Sequence, residues 1–293
     1  MYDLIKASET AYYIDCPSKI GIIKVGDNEV FLIDSGNNRE AGKRALKILN
    51  SKGWSLKGII NTHSHADHIG GNRYLQANTG CPVYAKGIER DFTNHPILES
   101  VSIWGARPMA ELRHKFLLAE ESYCEELAPD VLPEGFELVD LSGHTPDMVG
   151  VRTPDGVVFL ADCLSSAETL DKYKIGFIYD IRAYLETLKN VKELDATLFI
   201  PSHAKPTDNI TPLAVYNIDK VRETIDTILF ALCEPRGFEE LLTELFDKYG
   251  LTLTYEQYAL VGSTVRSYIS YLKDEGRIEG VLDNNRLLWK TIK

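Results

Sequence analysis

Three of the chain's seven histidines fall within six residues, in Thr62-His63-Ser64-His65-Ala66-Asp67-His68-Ile69-Gly70-Gly71. Imidazole and carboxylate are preferred ligands of zinc and related first-row metals, so the cluster reads as a metal site. It follows Lys57 to Thr62, a short apolar run expected to be a strand, and precedes a helical stretch from Asn72 to Asn78. Alternate residues at a strand end point the same way, which lets His63 and His65 share one ion. Asp67 and His68 lie past that point and can turn toward a second ion beside it. His144 follows the expected strand Phe136 to Leu141, and His203 follows Thr197 to Pro201. Asp162 follows the apolar run Val157 to Ala161. In a layered α/β domain, such strand ends form the edge at which ligand sites are built.

The elements that position these residues alternate over the first two hundred positions. Ile20 to Val25 and Glu29 to Asp34 are β-branched and apolar runs around Gly26-Asp27-Asn28, a hairpin signal. Asn38 to Lys52 carries an apolar face of Ala41, Ala45, Leu46, Ile48 and Leu49, with Gly53 where a helix would end. Pro82 to Ala85 and Val149 to Arg152 are further strands, and Asp180 to Leu194 a further helix. Residues 86–133 interrupt this alternation and read as helical, with Met109 to Ser122 the clearest segment. A connection of that length within a compact domain is usually a lid or an added subdomain.

The order and spacing of His63, His65, Asp67, His68, His144, Asp162 and His203 resemble the metallo-β-lactamase superfamily signature, H-x-H-x-D-H followed by a later His, Asp and His. The likeness spans roughly residues 20–205. It implies an αββα sandwich, here with a helical insertion at about 86–133. It also implies that His63, His65 and His144 bind a first divalent ion. Asp67, His68 and His203 would bind a second, with Asp162 bridging the two. Zinc is the expected metal, with iron or manganese as alternatives that the ligand types equally suit.

A pair of such ions can generate a hydroxide at neutral pH and polarise the group it attacks. The expected activity is therefore hydrolysis of a small-molecule ester, thioester, lactone or phosphoester, with chemistry of the glyoxalase II kind. Asp67 is the expected catalytic residue, orienting the nucleophile and shuttling its proton. Two alternatives within the superfamily are a ribonuclease-like phosphodiesterase and a mononuclear-iron dioxygenase. The flavodiiron enzymes carry Glu where this chain has His65, which counts against that branch. Cys163 follows Asp162 directly. Adjacent strand residues face opposite ways, so Cys163 is expected to be a packed small residue.

Other residues carry weaker signals. In the insertion, Arg90, His95, Trp104, Arg107, Arg113 and His114 could grip an anionic group from a lid, or equally form a solvated surface or a dimer contact. Tyr173, Tyr179 and Lys205 could reach the pocket mouth.

From Pro212 the pattern turns to helices: Leu213 to Cys233, Phe238 to Tyr249 and Tyr255 to Lys273, then short strands Arg277 to Leu282 and Arg286 to Thr291. That order matches a winged-helix module, giving expected domains at 1–211 (catalytic) and 212–293 (winged-helix-like). The tail holds 10 Lys and Arg against 13 Asp and Glu, whereas a nucleic-acid reader should show a basic face. With a whole-chain formal charge of -11, nucleic acid is disfavoured and a small-molecule substrate preferred. A homo-oligomer is compatible with the sequence. The five cysteines form no C-x-x-C pair, and neither a signal peptide nor a long apolar run is evident. These features fit reduced thiols and a cytoplasmic location.

Overall fold

The computed structural model describes residues 2–292. Seven strands form the first sheet in sequential order: β1 (Asp3–Lys6), β2 (Ala11–Asp15), β3 (Ile20–Lys24), β4 (Glu29–Ile33), β5 (Ser55–Ile60), β6 (Val83–Ala85) and β7 (Glu125–Glu126). The expected hairpin is present as the antiparallel pair β3 and β4, and β4 to β7 run parallel. A second, four-stranded sheet has the order β11 (Leu198–His203), β10 (Val157–Ser165), β9 (Val149–Arg152), β8 (Glu137–Asp140).

Strand periodicity sorts side chains onto the two faces of each sheet. Ile23, Phe31, Ile33 and Ile60 of the first sheet meet Val149, Val151, Val157 and Phe159 of the second in one buried layer. Gly21 permits that approach, because a Cβ there would stand 2.7 Å from the Phe159 ring. The alternate set, Ile20, Ile22, Val30, Leu32 and Ile59, packs outward against Ala45 and Leu49 of α1 (Arg39–Ser51) and Leu75 of α3 (Asn72–Thr79). Asn38 caps α1 by accepting the Ala41 N–H at 3.0 Å. On the far side, Val158 and Leu160 pack against Tyr184 and Leu188 of α7 (Ile181–Glu193). Helix, sheet, sheet, helix is thus the layer order, as the family resemblance implied.

Two segments depart from expectation. The insertion's helices are α4 (Gly87–Asn94) and α5 (Ile97–Trp104), whereas Met109 to Ser122 is irregular apart from a 3-10 turn at Ala110–Leu112. Leu112 and Leu117 are buried there by packing with Ile103 and Ala259, so tertiary contact rather than a helical stripe explains their apolar character. Strand β10 also continues past Ala161 to Ser165. The continuation passes a register shift at Ala161, whose φ is +48°. A short helix, α6 (Ala167–Tyr173), follows it.

The tail consists of α8 (Thr211–Ala231), α9 (Phe238–Tyr249), α10 (Tyr255–Asp274) and the antiparallel hairpin of β12 (Ile278–Asp283) and β13 (Arg286–Thr291). Its core is continuous with that of the second sheet: Ile218, Val221, Ile225, Val265, Tyr268 and Ile269 share one cluster with Leu160, Tyr184 and Leu188. Among the described residues no helix is long and apolar enough to cross a membrane.

Candidate metal centre

The seven sequence-selected side chains converge on one edge of the sandwich. His63 follows β5. His65 is the N-cap of α2 (Ala66–Ile69), a single turn that carries Asp67 and His68. His144 stands in the turn after β8, where Gly143 adopts φ +128° and a Cβ would collide with the Tyr184 backbone. Asp162 lies on the irregular stretch of β10, and His203 closes β11.

Three overlapping sets of ligand atoms lie mutually within 4.8 Å: His63 with His65 and His144, His63 with His68 and Asp162, and Asp67 with His68 and His203. His144 Nε2 is 3.1 Å from His65 Nδ1. Asp162 spans the sets, with Oδ1 3.2 Å from His68 Nε2 and Oδ2 3.1 Å from His203 Nε2. Asp67 Oδ2 is 3.2 Å from His203 Nε2 and accepts a hydrogen bond from Ser18 Oγ at 2.6 Å. Cys163, adjacent to Asp162, is fully buried in the core on the other face.

The electrostatics are those of a site built around positive charge. Burial works against ionisation of Asp162, yet the charges on His203 and His68 outweigh it and hold the carboxyl well below the usual carboxylate range. Burial opposes Asp67 as well, and His68 and His203 depress it in turn. Asp162 leads the forces that raise His203 to about 10. Burial and the neighbouring His144 lower His65 to about 3, and burial with His68 and His65 holds His63 well below its ordinary value.

These residues fit one or two divalent cations. His63 Nε2, His68 Nε2 and Asp162 Oδ1 are buried without a hydrogen-bond partner, a condition that buried polar atoms rarely tolerate. Imidazole nitrogens and carboxylates are also the donors that first-row divalent ions prefer.

A surrounding shell, which the sequence reading did not select, fixes the rings. Asp34 Oδ2 lies 2.8 Å from His68 Nδ1 and accepts from Thr62 Oγ1 at 2.7 Å, while its Oδ1 accepts the Thr62 N–H at 2.8 Å. Its one sequence signal is a carboxylate closing the apolar run Leu32-Ile33-Asp34, and its φ of +62° is tolerated by Asp. His144 Nδ1 is held by the Phe177 carbonyl at 2.9 Å and His203 Nδ1 by the Pro17 carbonyl at 3.1 Å. Glu89 accepts from Ser64 N at 3.0 Å, Ser64 Oγ at 2.7 Å and Asp147 N at 3.2 Å, tying together the two histidine-bearing loops.

Of the cationic residues singled out in the insertion, Arg90 and His114 are paired away from the metal centre. Arg90 pairs with Asp91 and Glu126, and His114 sits 2.6 Å from Glu256 of α10. Trp104 packs near Tyr258, also of α10. Tyr173 and Phe177 line a cleft of about 590 Å³ that includes Asp162 and His203, and α10 supplies Gln257, Leu260 and Val261 to the same cleft. Lys205 and Lys19 line a neighbouring hollow with His203.

Residues 13–203 match the family model described as metallo-beta-lactamase superfamily. The chain belongs to that superfamily. A probable metallo-hydrolase, YqjP, of Bacillus subtilis (strain 168) is 24% identical over 97% of this chain and 98% of its own length. Hydroxyacylglutathione hydrolases also match over shorter stretches. The protein of that name from Erythrobacter litoralis is 41% identical over 47% of this chain and 49% of its own length. The one from Methylococcus capsulatus is 47% identical, over 15% of this chain and 18% of its own length. Among solved structures, a metallo-beta-lactamase family protein from Thermus thermophilus superposes with a TM-score of 0.71 at 16% identity, over 100% of this chain and 98% of that one.

Proposed function

We propose that the chain is a metal-dependent hydrolase of small-molecule esters or thioesters, working with two divalent ions, zinc by preference. His63, His65 and His144 would hold one ion and Asp67, His68 and His203 the other, with Asp162 between them. The observation that carries this reading is the convergence of seven side chains in which three buried ligand atoms lack partners. Bound divalent ions there supply a Lewis acid for the substrate's oxygen and acidify water to a pKa of about 7.

The chain's own groups supply position. His63, His65 and His144 are held neutral by burial, so their lone pairs are available at physiological pH. Asp67 is half-buried and fixed by Ser18 Oγ–H. It is therefore placed to orient an attacking water and accept its proton. Phe177 packs edge-on to both His65 and His144 and screens that side from solvent. The wide cleft beside Asp162 and His203 offers room for a leaving group. The names of the hydroxyacylglutathione hydrolases favour a thioester among the candidate substrates. Residues 1–211 are read as the catalytic unit and 212–293 as a winged-helix-like module seated on it.

Elemental analysis of protein purified without chelators tests the reading, combined with a panel of thioesters, esters, lactones and phosphodiesters. Close to two zinc ions per chain with ester or thioester turnover is the expected result. A single iron with no hydrolysis would replace it with the dioxygenase alternative.

A further inference from the structure

A second and smaller cavity, about 240 Å³, is walled by His65 together with Ile88, Phe92, Glu99, Ser102 and Phe177. Phe177 also lines the wide cleft, so the two spaces meet at that residue beside the metal centre. Five of the small cavity's eleven lining residues come from α4 and α5 of the insertion. Its surface is largely apolar, yet two carboxylic side chains are buried there: Glu89, 1% exposed, and Glu99, 8% exposed. Glu89 is committed to Ser64 and Asp147. Burial, aided by the charge of Asp67, holds the Glu99 carboxyl well above the usual carboxylate range. A protonated carboxyl has an O–H to donate, and on an apolar wall that donor needs a partner.

We propose that this cavity seats the acyl part of the substrate, a short and mostly apolar group bearing an oxygen that hydrogen-bonds to Glu99. The inference rests on the ester or thioester reading above. A carbonyl undergoing hydrolysis at the metal centre has two substituents to place. The released thiol or alcohol needs the wide cleft, which leaves the small cavity for the acyl group. An apolar cavity of about 150 Å³ holds benzene, so this one accommodates roughly six to ten non-hydrogen atoms.

The test is a series of straight-chain acyl thioesters of two to twelve carbons, with 3-hydroxyacyl counterparts, assayed on the zinc-loaded enzyme. kcat/KM is expected to rise about fourfold for each methylene that enters the cavity, then fall once it is full. Ser102→Phe, which fills the cavity, should move the optimum to shorter chains and cut turnover of the longest good substrate at least tenfold. Ile88→Trp, on the opposite helix of the insertion, repeats the test should the first variant fold poorly. Glu99→Leu should erase the preference for hydroxyacyl over plain acyl, worth about tenfold in KM, and Glu99→Gln should retain much of it. A crystal soaked with a non-hydrolysable ketone analogue should place the acyl chain among Ile88, Phe92 and Phe177.

Absence of turnover on every thioester and ester would overturn the hydrolase reading itself. Turnover with a flat chain-length profile, untouched by Ser102→Phe and Ile88→Trp, would leave that reading standing and overturn the acyl-cavity assignment. An analogue whose chain lies in the wide cleft would do the same.

Discussion

Asp34→Asn probes the metal site through a residue that orients a ligand ring without being one of the seven ligands. Both side chains have nearly the same shape, and both tolerate the left-handed backbone found at this position, φ +62°. One amide oxygen can still accept the Thr62 N–H that Asp34 Oδ1 now takes at 2.8 Å. The amide nitrogen then replaces Oδ2, which lies 2.7 Å from Thr62 Oγ1 and 2.8 Å from His68 Nδ1. The threonine hydroxyl can rotate to accept. His68 can accept only with Nδ1 bare, which moves its proton to Nε2, the atom aimed at Asp162 and Asp67. The variant thus favours the tautomer that cannot bind a metal. Losing such an orienting partner typically costs ten- to a hundredfold in metal affinity, about 1.4–2.7 kcal/mol. The metal-free protein should lose stability as well, by about 1.5–3 kcal/mol, because Asp34 is a charged partner of the buried His68 ring and helps to hold it protonated. Competition for zinc against a chromophoric chelator measures the first quantity, and denaturant melts of metal-free protein the second. Unchanged affinity would refute the tautomer argument.

Asp67→Asn should leave the fold intact and lower kcat at least tenfold in the assay that establishes activity; full activity would remove Asp67 from the chemistry. In metal-free protein, His203 is raised to about 10 from an ordinary value of 6.5. Its contribution to stability is fully present below about pH 6.5 and lost as pH climbs toward 10. The melting temperature of chelator-treated protein should therefore fall across that window, and zinc should remove the trend by replacing the proton. A flat profile without metal would contradict the pairing of His203 with Asp162. Ending the chain after residue 211 should expose Tyr184, Leu188 and Val191, which share their core with α8 to α10. Aggregation on expression is expected, and a soluble monomer would show that the tail is dispensable to the fold.

The ligand residues were legible because their chemistry is local: three histidines in one short run, and others just past apolar strands. The two-sheet sandwich came through the family resemblance, and the alternation within each strand agrees with it. What stayed hidden acts across space. Asp34 is 34 residues from His68 in the chain, and Glu89 is 25 from Ser64. No spacing rule joins such pairs. The insertion misled in an instructive way. Its charged and aromatic residues attracted notice, yet Arg90 and His114 satisfy surface partners. The residues that face the cavity, Ile88, Phe92 and Ser102, look like ordinary helix positions. Leu112 and Leu117 fall in the stretch read as helical, although contact with Ile103 and Ala259 is what buries them.

A sheet edge can supply ligands but not walls, and that limitation explains why the insertion and the tail belong to the same problem. Helix α10 contributes Gln257, Leu260 and Val261 to the wide cleft. It also grips the loop that carries Phe177: the Ile178 N–H donates to Thr264 Oγ1 at 3.3 Å, and Ser267 Oγ donates to the Tyr179 carbonyl at 2.8 Å. Phe177 in turn holds His144 Nδ1 through its own carbonyl. A continuous line of contacts therefore runs from the tail helix through one loop to a metal-site ring, and a tail substitution that leaves the sheets untouched can still turn His144. Thr264→Val removes the acceptor for Ile178 at a fully buried position and keeps the shape. Of the seven site residues, His144 is the one whose orientation that change reaches first, so its effect should register as weakened metal binding before any loss of secondary structure.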